Sequence, residues 1–209
     1  MRVTLTRDDM VRQLRRLGIR DARVLDAMAR VPREEFVRDV DREAAYGDHA
    51  LPIAEAQTIS QPYVVARMTE LLDVRPDHHV LEVGTGSGYH AAVVAELAKD
   101  VVTVERHQSL ADTARETLER LGYDSVRVVH DDGSLGYPAL APYDRILVTA
   151  ATPSIDLALA AQLAPGGRLV APVGDEEMQE LVVRDDRGRE EKHGAVRFVP
   201  LIGRAGFGP

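Results

Sequence analysis

Val80-Leu-Glu-Val-Gly-Thr-Gly-Ser-Gly-Tyr89 decides the fold of this chain. Val80–Val83 reads as a buried strand. Gly84, Gly86 and Gly88 then make a tight turn, and the apolar stretch Ala91–Ala98 reads as a helix. A strand that turns through glycines into a helix lets backbone come close to a nucleotide-like ligand. Turns of this kind hold several different cofactors, and some are only tight turns. The spacing narrows the choice. Dinucleotide folds use G-x-G-x-x-G, whose third glycine allows close packing of helix on strand. Here an acid, Glu82, precedes three evenly spaced glycines in the pattern E-x-G-x-G-x-G.

Outward from this stretch, strands and helices alternate. The strands are Val80–Val83, Val101–Val104, Val126–Val129, Arg145–Val148 and Arg168–Pro172. The helices are Ala91–Ala98, Ser109–Leu121 and Ile155–Leu163, and Pro165-Gly-Gly167 is the turn into the fifth strand. That alternation predicts an α/β fold, a doubly wound and mostly parallel sheet with helices on both faces. After Gly174 the pattern changes. Glu180–Arg184, the polar turn Asp185–Gly188 and Val196–Leu201 predict antiparallel strands at the sheet edge.

Toward the N-terminus the chain predicts a helical cap. Thr6 with Asp9 forms a capping-box pattern, Met10, Val11, Leu14 and Leu17 share a face, and Gly18 ends the helix. Asp21 opens a second helix, with Val24, Leu25 and Met28 inward. Arg33–Val37 reads as a short turn, and Arg38–Gln57 as an irregular loop over the ligand. Ser60–Leu72 reads as a third helix with Pro62 in its first turn. The expected organisation is one domain, residues 1–209. It comprises the helical cap and substrate loop (1–79), the cofactor-binding α/β core (80–174) and the C-terminal edge strands (175–209).

The 209 residues, 44% of them hydrophobic, are enough for one α/β domain with a sizeable core. The net charge of −8 argues against binding to nucleic acid, which needs clustered cations. The absence of Cys excludes disulfides, thiolate metal sites and Cys nucleophiles. His49, His78, His79, His90, His107, His130 and His193 show no metal-ligand spacing, so no metal is expected. With no apolar signal region and no run long enough to span a bilayer, a soluble cytoplasmic protein without membrane partners is expected.

In open α/β sheets, ligands sit beyond the carboxyl ends of the strands, near the switch point. Four loops should meet there. The first is Gly84–Gly88 with Thr85 and Ser87, and the second is the turn after Glu105, with Arg106. The others are Asp131–Ser134, with Asp132 and Gly133, and Thr149–Thr152. Glu105 ends a strand and is placed to accept hydrogen bonds from both hydroxyls of a ribose. An acid at Asp132 can accept from an adenine amino group while the neighbouring amide donates to a ring nitrogen. Asp-Gly is also a common β-turn. Together, Glu82, the glycines and Glu105 resemble the S-adenosylmethionine site of class I methyltransferases, a Rossmann-like fold.

The chain as a whole resembles the protein-L-isoaspartate O-methyltransferase family. The resemblance spans nearly all of it and is most specific from Tyr46 to Gly174. It is carried by Gln57-Thr-Ile-Ser-Gln-Pro62, the glycine stretch, Asp132-Gly-Ser-Leu-Gly136, Pro142-Tyr-Asp144, Val148-Thr-Ala-Ala151, Leu163-Ala-Pro-Gly-Gly-Arg168 and Phe198-Val-Pro-Leu201. The Gln57–Pro62 segment discriminates, because many methyltransferases share the glycine loop. The resemblance implies methyl transfer from S-adenosylmethionine to the free α-carboxylate of isoaspartyl residues in damaged proteins and peptides. The ester then closes to a succinimide, whose hydrolysis returns some normal aspartate. It also implies that Ser60 is the key active-site residue, orienting the acceptor carboxylate, with Thr58 as a neighbour on the same loop. Ser60 is equally placed to be the N-cap of the third helix.

One departure stands out. Where the family has a glycine-containing stretch close to Gly-x-Gly, this chain has Ala54-Glu55-Ala56. Alanine resists positive φ, so a different loop path is expected, with Glu55 adding negative charge near an anionic acceptor. Asp131 also stands where a glycine is more usual. Two other readings compete: a methyltransferase of another small or carboxylate substrate, and a non-catalytic S-adenosylmethionine-binding protein.

Overall fold

The N-terminal cap is built by local signals that act as the sequence predicts. The computed structural model describes residues 4–208. Helix α1 (Arg7–Arg16) starts at the Thr6 capping box, where the Asp9 amide donates to the Thr6 hydroxyl at 3.2 Å and the Thr6 amide donates to the Asp9 carboxylate at 2.9 Å. Met10 and Leu14 are buried, but Leu17 is 46% exposed. The helix stops at Arg16, so Leu17 lies past the last turn and leaves the inward face. Helix α2 (Ala22–Arg30) is capped by Asp21 and buries Val24, Leu25 and Met28.

The stretch expected to be irregular holds more structure than the sequence suggests. The short turn expected over Arg33–Val37 is a 3₁₀ turn, Arg33–Phe36, and within the irregular stretch a six-residue 3₁₀ segment covers Asp39–Ala44. Strands β1 (Leu51–Pro52) and β2 (Thr58–Ile59) then pair as a small antiparallel hairpin. Helix α3 (Pro62–Leu72) begins two residues later than predicted, with Pro62 at its first position and Gln61, not Ser60, as its N-cap residue.

The sheet follows. Its elements in chain order are β3 (His79–Val83), α4 (Tyr89–Ala95), β4 (Asp100–Glu105), α5 (Gln108–Arg120), β5 (Val126–His130), β6 (Tyr143–Val148), α6 (Leu157–Ala160), β7 (Leu163–Gly174), β8 (Gln179–Asp185) and β9 (Glu190–Val196). The spatial order is β5-β4-β3-β6-β7-β8-β9, parallel from β5 to β7 and antiparallel from β7 to β9. The chain therefore winds outward from β3 in both directions, and the switch point falls beside its carboxyl end, where the glycine turn begins.

Alternation of side chains across the central strands makes two cores. Val80, Val101, Leu147 and Val170 face α3 and α4. Leu81, Val83, Val102, Val104, Ile146 and Leu169 face the other way, toward Leu159 of α6 and the irregular chain around Tyr137, Leu140 and Leu201. The helices α1 and α2 join the first face through a third cluster that includes Tyr89, Val93 and Leu118.

Two sequence expectations are corrected here. The helix predicted over 155–163 is the single turn Leu157–Ala160, and Leu163 already begins β7. The last edge strand is the polar Glu190–Val196, not Val196–Leu201. A charged sequence suits an exposed edge, where an apolar one would invite further pairing. The apolar residues that follow leave the sheet. Val199 accepts from the Ala151 amide at 2.8 Å, the Leu201 amide donates to Ala151 at 2.7 Å, and the chain crosses the carboxyl ends of the strands.

Candidate active site

One pocket lies at the switch point. It is lined by Thr58 and Ser60, by Gly84, Thr85, Gly86 and Ser87, by Glu105 and Arg106, and by Gly133 and Thr149. Loops that are far apart in sequence thus converge as the strand order requires. Glu82, Gly88 and Asp132, also expected there, do not line it.

The glycine turn is held by side chains beneath and beside it. Gly84 has φ of +98°, and a Cβ there would come within 2.5 Å of the Thr149 hydroxyl oxygen. That hydroxyl donates to the Gly84 carbonyl at 2.5 Å, so close approach excludes any side chain at Gly84. Gly86 has φ of +54°, and the nearest protein atom to a Cβ there is Ile53 Cδ1 at 3.7 Å. Space at Gly86 is therefore pocket space. Gly88, at φ +87°, is the N-cap residue of α4 and packs on Ala114 and Leu118, which explains its place behind the turn.

Glu105 sits at the end of β4, 5% exposed. Its carboxylate accepts from the Gly86 amide at 2.9 Å and from the His107 amide at 3.0 Å. It ties the glycine turn to the next loop, and each oxygen keeps a lone pair for a donor in the pocket.

Glu82 is fully buried beneath the turn. The Thr103 hydroxyl donates to it at 2.6 Å, and the Thr85 hydroxyl in turn donates to Thr103 at 2.7 Å. Its other oxygen, Oε1, has no partner among the described residues. Burial pushes the Glu82 carboxyl up to about 8, with the Thr103 bond opposing and Glu105 adding to the rise. Its contact with the turn runs through two threonines, which is the correction to its expected place in the pocket.

Asp132 is also turned away from the pocket. It accepts from the amides of Ser134 and Arg204, both at 3.0 Å, and so clamps the C-terminal turn. Burial works to raise its carboxyl, but the bonds from Arg204 and Ser134 outweigh it and hold it below the usual carboxylate range. Gly133 supplies the pocket wall, where a Cβ would press on Val83 and Val104 at 3.1 Å.

Thr58 of the hairpin and Ser60 just after it also line the pocket. Neither the Ser60 nor the Thr58 hydroxyl has a hydrogen-bond partner among the described residues, although the capping reading of Ser60 requires one. The carboxylate of Asp48 takes that role, accepting from the Tyr63 amide at 2.8 Å. At the hairpin tip, Glu55 and Ala56 carry φ of +56° and +54°. The Gln57 amide donates to the Ala54 carbonyl at 3.0 Å, closing a turn with two left-handed central residues. The substituted tip therefore takes the positive-φ path that its alanine was expected to avoid. Glu55 accepts from the Ser109 hydroxyl at 2.6 Å and lies 3.7 Å from Nδ1 of His107, which lines the pocket.

Sequence reasoning missed several lining residues. Tyr89, His90, His107 and Val199–Ile202 all face the pocket. Burial pushes the His90 ring down to about 3, so it stays neutral, held by Thr69 at 3.0 Å. Only the apolar run after Val196 was a usable signal, and it reads equally well as a strand. Among the described residues there is no cluster of three or more metal-ligating side chains, and no helix is long and apolar enough to cross a membrane.

With this geometry in view, known proteins are informative. The sequence profile of the protein-L-isoaspartate(D-aspartate) O-methyltransferase family matches residues 5–206. A protein-L-isoaspartate O-methyltransferase of Methanopyrus kandleri is 56% identical, covering 96% of this chain and 93% of that protein. Protein-L-isoaspartate O-methyltransferase 1 of Syntrophobacter fumaroxidans is 53% identical, covering 96% of each. A solved protein-L-isoaspartate O-methyltransferase superposes with a TM-score of 0.87 at 28% identity, covering 96% of this chain and 67% of that one. A Plasmodium falciparum structure in complex with S-adenosyl-L-homocysteine shares the fold, with a TM-score of 0.82 at 24% identity, covering 95% of this chain and 99% of that one.

Proposed function

The chain belongs to the protein-L-isoaspartate(D-aspartate) O-methyltransferase family, and from that membership we infer that it methylates the free carboxylate of L-isoaspartyl residues in damaged proteins and peptides. S-adenosylmethionine is the methyl donor, and formation of the ester opens the route through a succinimide to repair. The observation that supports this reading most directly is the convergence of two groups of residues on one pocket. Thr58 and Ser60, whose hydroxyls are unpartnered among the described residues, line the same pocket as the glycine turn and Glu105.

The residues present fit the cofactor. A turn whose middle glycine opens onto pocket space admits a ligand against the backbone, and Glu105 offers a buried anionic acceptor beside it. Gly84, Thr85, Gly86 and Ser87 would cradle the methionine end, Glu105 the ribose hydroxyls, and Gly133 with Arg106 the adenine end. Thr149 and the Glu82–Thr103–Thr85 chain hold the cradle from behind. When bound, the cofactor supplies a methyl group on a sulfonium, a good leaving group.

The acceptor carboxylate is ionised at neutral pH, so its oxygen attacks without a general base. One oxygen–carbon bond forms, the carbon–sulfur bond breaks with its electron pair going to sulfur, and no proton moves. What remains for the protein is aim and exclusion of water. Ser60 and Thr58 would donate to the acceptor carboxylate without holding it as a tight ion pair. Val199–Ile202 would close the pocket from above.

The test is methyl incorporation from labelled S-adenosylmethionine into two peptides that differ only in isoaspartyl against aspartyl linkage. Label in the isoaspartyl peptide alone is expected. Cofactor binding without label in either peptide would overturn the reading and favour another acceptor or a binding protein.

A further inference from the structure

Arg33 is a buried cation that the reaction does not visibly use. It follows Pro32 in the 3₁₀ turn Arg33–Phe36, and its side chain is 0% exposed. Its Nε donates to the Ala45 carbonyl at 2.8 Å, and its Nη2 donates to the Ser60 carbonyl at 2.8 Å. Its guanidinium carbon lies 4.7 Å from the centroid of the Tyr89 ring. Tyr89 opens α4 directly after the glycine turn and lines the pocket. One guanidinium therefore touches the chain before the hairpin, the loop that carries Ser60, and the first residue beyond the cofactor cradle.

We propose that Arg33 is a positioning residue for methyl transfer: by holding the Ser60 carbonyl against Tyr89, it fixes where the Ser60 hydroxyl stands relative to the glycine turn. The proposal rests on the reading of Ser60 as the group that faces the acceptor.

Chemistry favours this over simple packing. Among the described residues Arg33 forms no salt bridge, and its Nη1 has no hydrogen-bond partner. Burial drives its affinity for a proton down, while Tyr89, Asp48 and Tyr46 work the other way. An apolar side chain of similar volume would fill the space without burying a charge that lacks an ion pair. What such a residue lacks is the fork. Only a planar guanidinium sends donors to two carbonyls while lying over an aromatic ring; a lysine ammonium is a point charge on a flexible stem. The helix behind Ser60 is capped separately by Asp48, so Arg33 is not needed to start α3. Pinning the Ser60 carbonyl restricts the backbone that carries its Cα–Cβ bond, which is how a support residue aims a reacting neighbour.

The test is a double-mutant cycle between Arg33 and Ser60. Arg33→Lys, Arg33→Met, Ser60→Ala and the two double variants are compared for S-adenosylmethionine affinity by calorimetry and for kcat and KM with an isoaspartyl peptide. Arg33→Lys and Arg33→Met are expected to bind the cofactor within about threefold of the parent, a difference well under the tenfold that 1.4 kcal/mol would give. Their kcat should fall about tenfold or more, since misplacement of an aligned group carries losses of that size. In the Ser60→Ala background the same changes should lower kcat little further, because coupled residues are not additive. Losses that multiply instead would overturn the proposal, as would failure of both Arg33 variants to fold, which would make Arg33 a strut. A parent chain that methylates no isoaspartyl peptide would bring down the functional reading itself, and this proposal with it.

Discussion

The Asp48 carboxylate accepts a hydrogen bond from the Tyr63 amide at 2.8 Å, and this bond caps α3 from 15 residues upstream. Ser60, which local sequence nominates as the cap, is left with a free hydroxyl on the pocket. The capping role that sequence assigns to this serine thus falls to Asp48, apart from the active-site role proposed for Ser60.

That division can be measured. Asp48→Ala should destabilise the fold by about 1 kcal/mol, the usual value of a helix N-cap. Ser60→Ala should leave thermal stability and cofactor affinity near those of the parent, yet lower isoaspartyl methylation by about tenfold or more, as loss of a positioned donor does. Thermal unfolding, calorimetry and a rate assay on both variants decide it. Equal losses of affinity and rate in Ser60→Ala would mean that the loop had collapsed.

Glu105 joins the Gly86 and His107 amides through its two oxygens. Glu105→Ala should weaken S-adenosylmethionine binding by roughly 10–100-fold, from loss of a charged acceptor worth about 1.5–3 kcal/mol. Unfolding should remain cooperative. Calorimetric titration is the measurement, and unchanged affinity would make Glu105 only a fastener of the turn.

The hairpin tip offers a matched pair of glycine substitutions. Ala56 is held at φ +54°, whereas Ala54 is not left-handed. An alanine in that region costs about 1–2 kcal/mol, offset in part by the extra freedom glycine has when unfolded. Ala56→Gly should therefore raise the thermal midpoint by about 1–3 °C in a chain of this size. Ala54→Gly should lower it. A rise in both, or in neither, would contradict the turn geometry described for Glu55 and Ala56.

Glu82 makes stability depend on pH. Its carboxyl is raised to about 8 in the folded chain, against the ordinary 4.5 of a solvated glutamate. Between those values the unfolded chain has already lost the proton that the folded chain keeps, so the unfolded state binds fewer protons. Stability then falls as pH rises from about 4.5 to 8, by up to about 1.4 kcal/mol per unit, and levels off above. Glu82→Gln should remove this fall and leave the variant more stable than the parent at pH 8. Denaturant titrations across that window give the answer, and parallel curves for parent and variant would show that Glu82 is ionised throughout.

The sequence by itself determined the sheet core and the glycine-turn wall of the pocket. Val80–Tyr89 and Val101–Glu105 are legible because buried parallel strands are short apolar runs, and because a glycine turn into a helix is a local event. The Thr6 and Asp21 caps are legible for the same reason, since each partner lies within three residues. Tertiary structure alone decided what the polar side chains do. Glu82 and Asp132 have the right types and positions for ligand contacts, but Thr103 and Arg204 turn them to support. Asp48 and Arg33 serve the Ser60 loop from distant points in the chain, with no periodic pattern to mark them. Apolar residues 198–201 fit a strand as well as a lid; the choice fell to pairing, because the charged run 190–196 already occupies the edge of β8. Hydrophobic periodicity and turn chemistry act over a few residues, so a sequence records them. The partner of a buried carboxylate or guanidinium is chosen by whichever donor or acceptor the completed fold brings within about 3 Å.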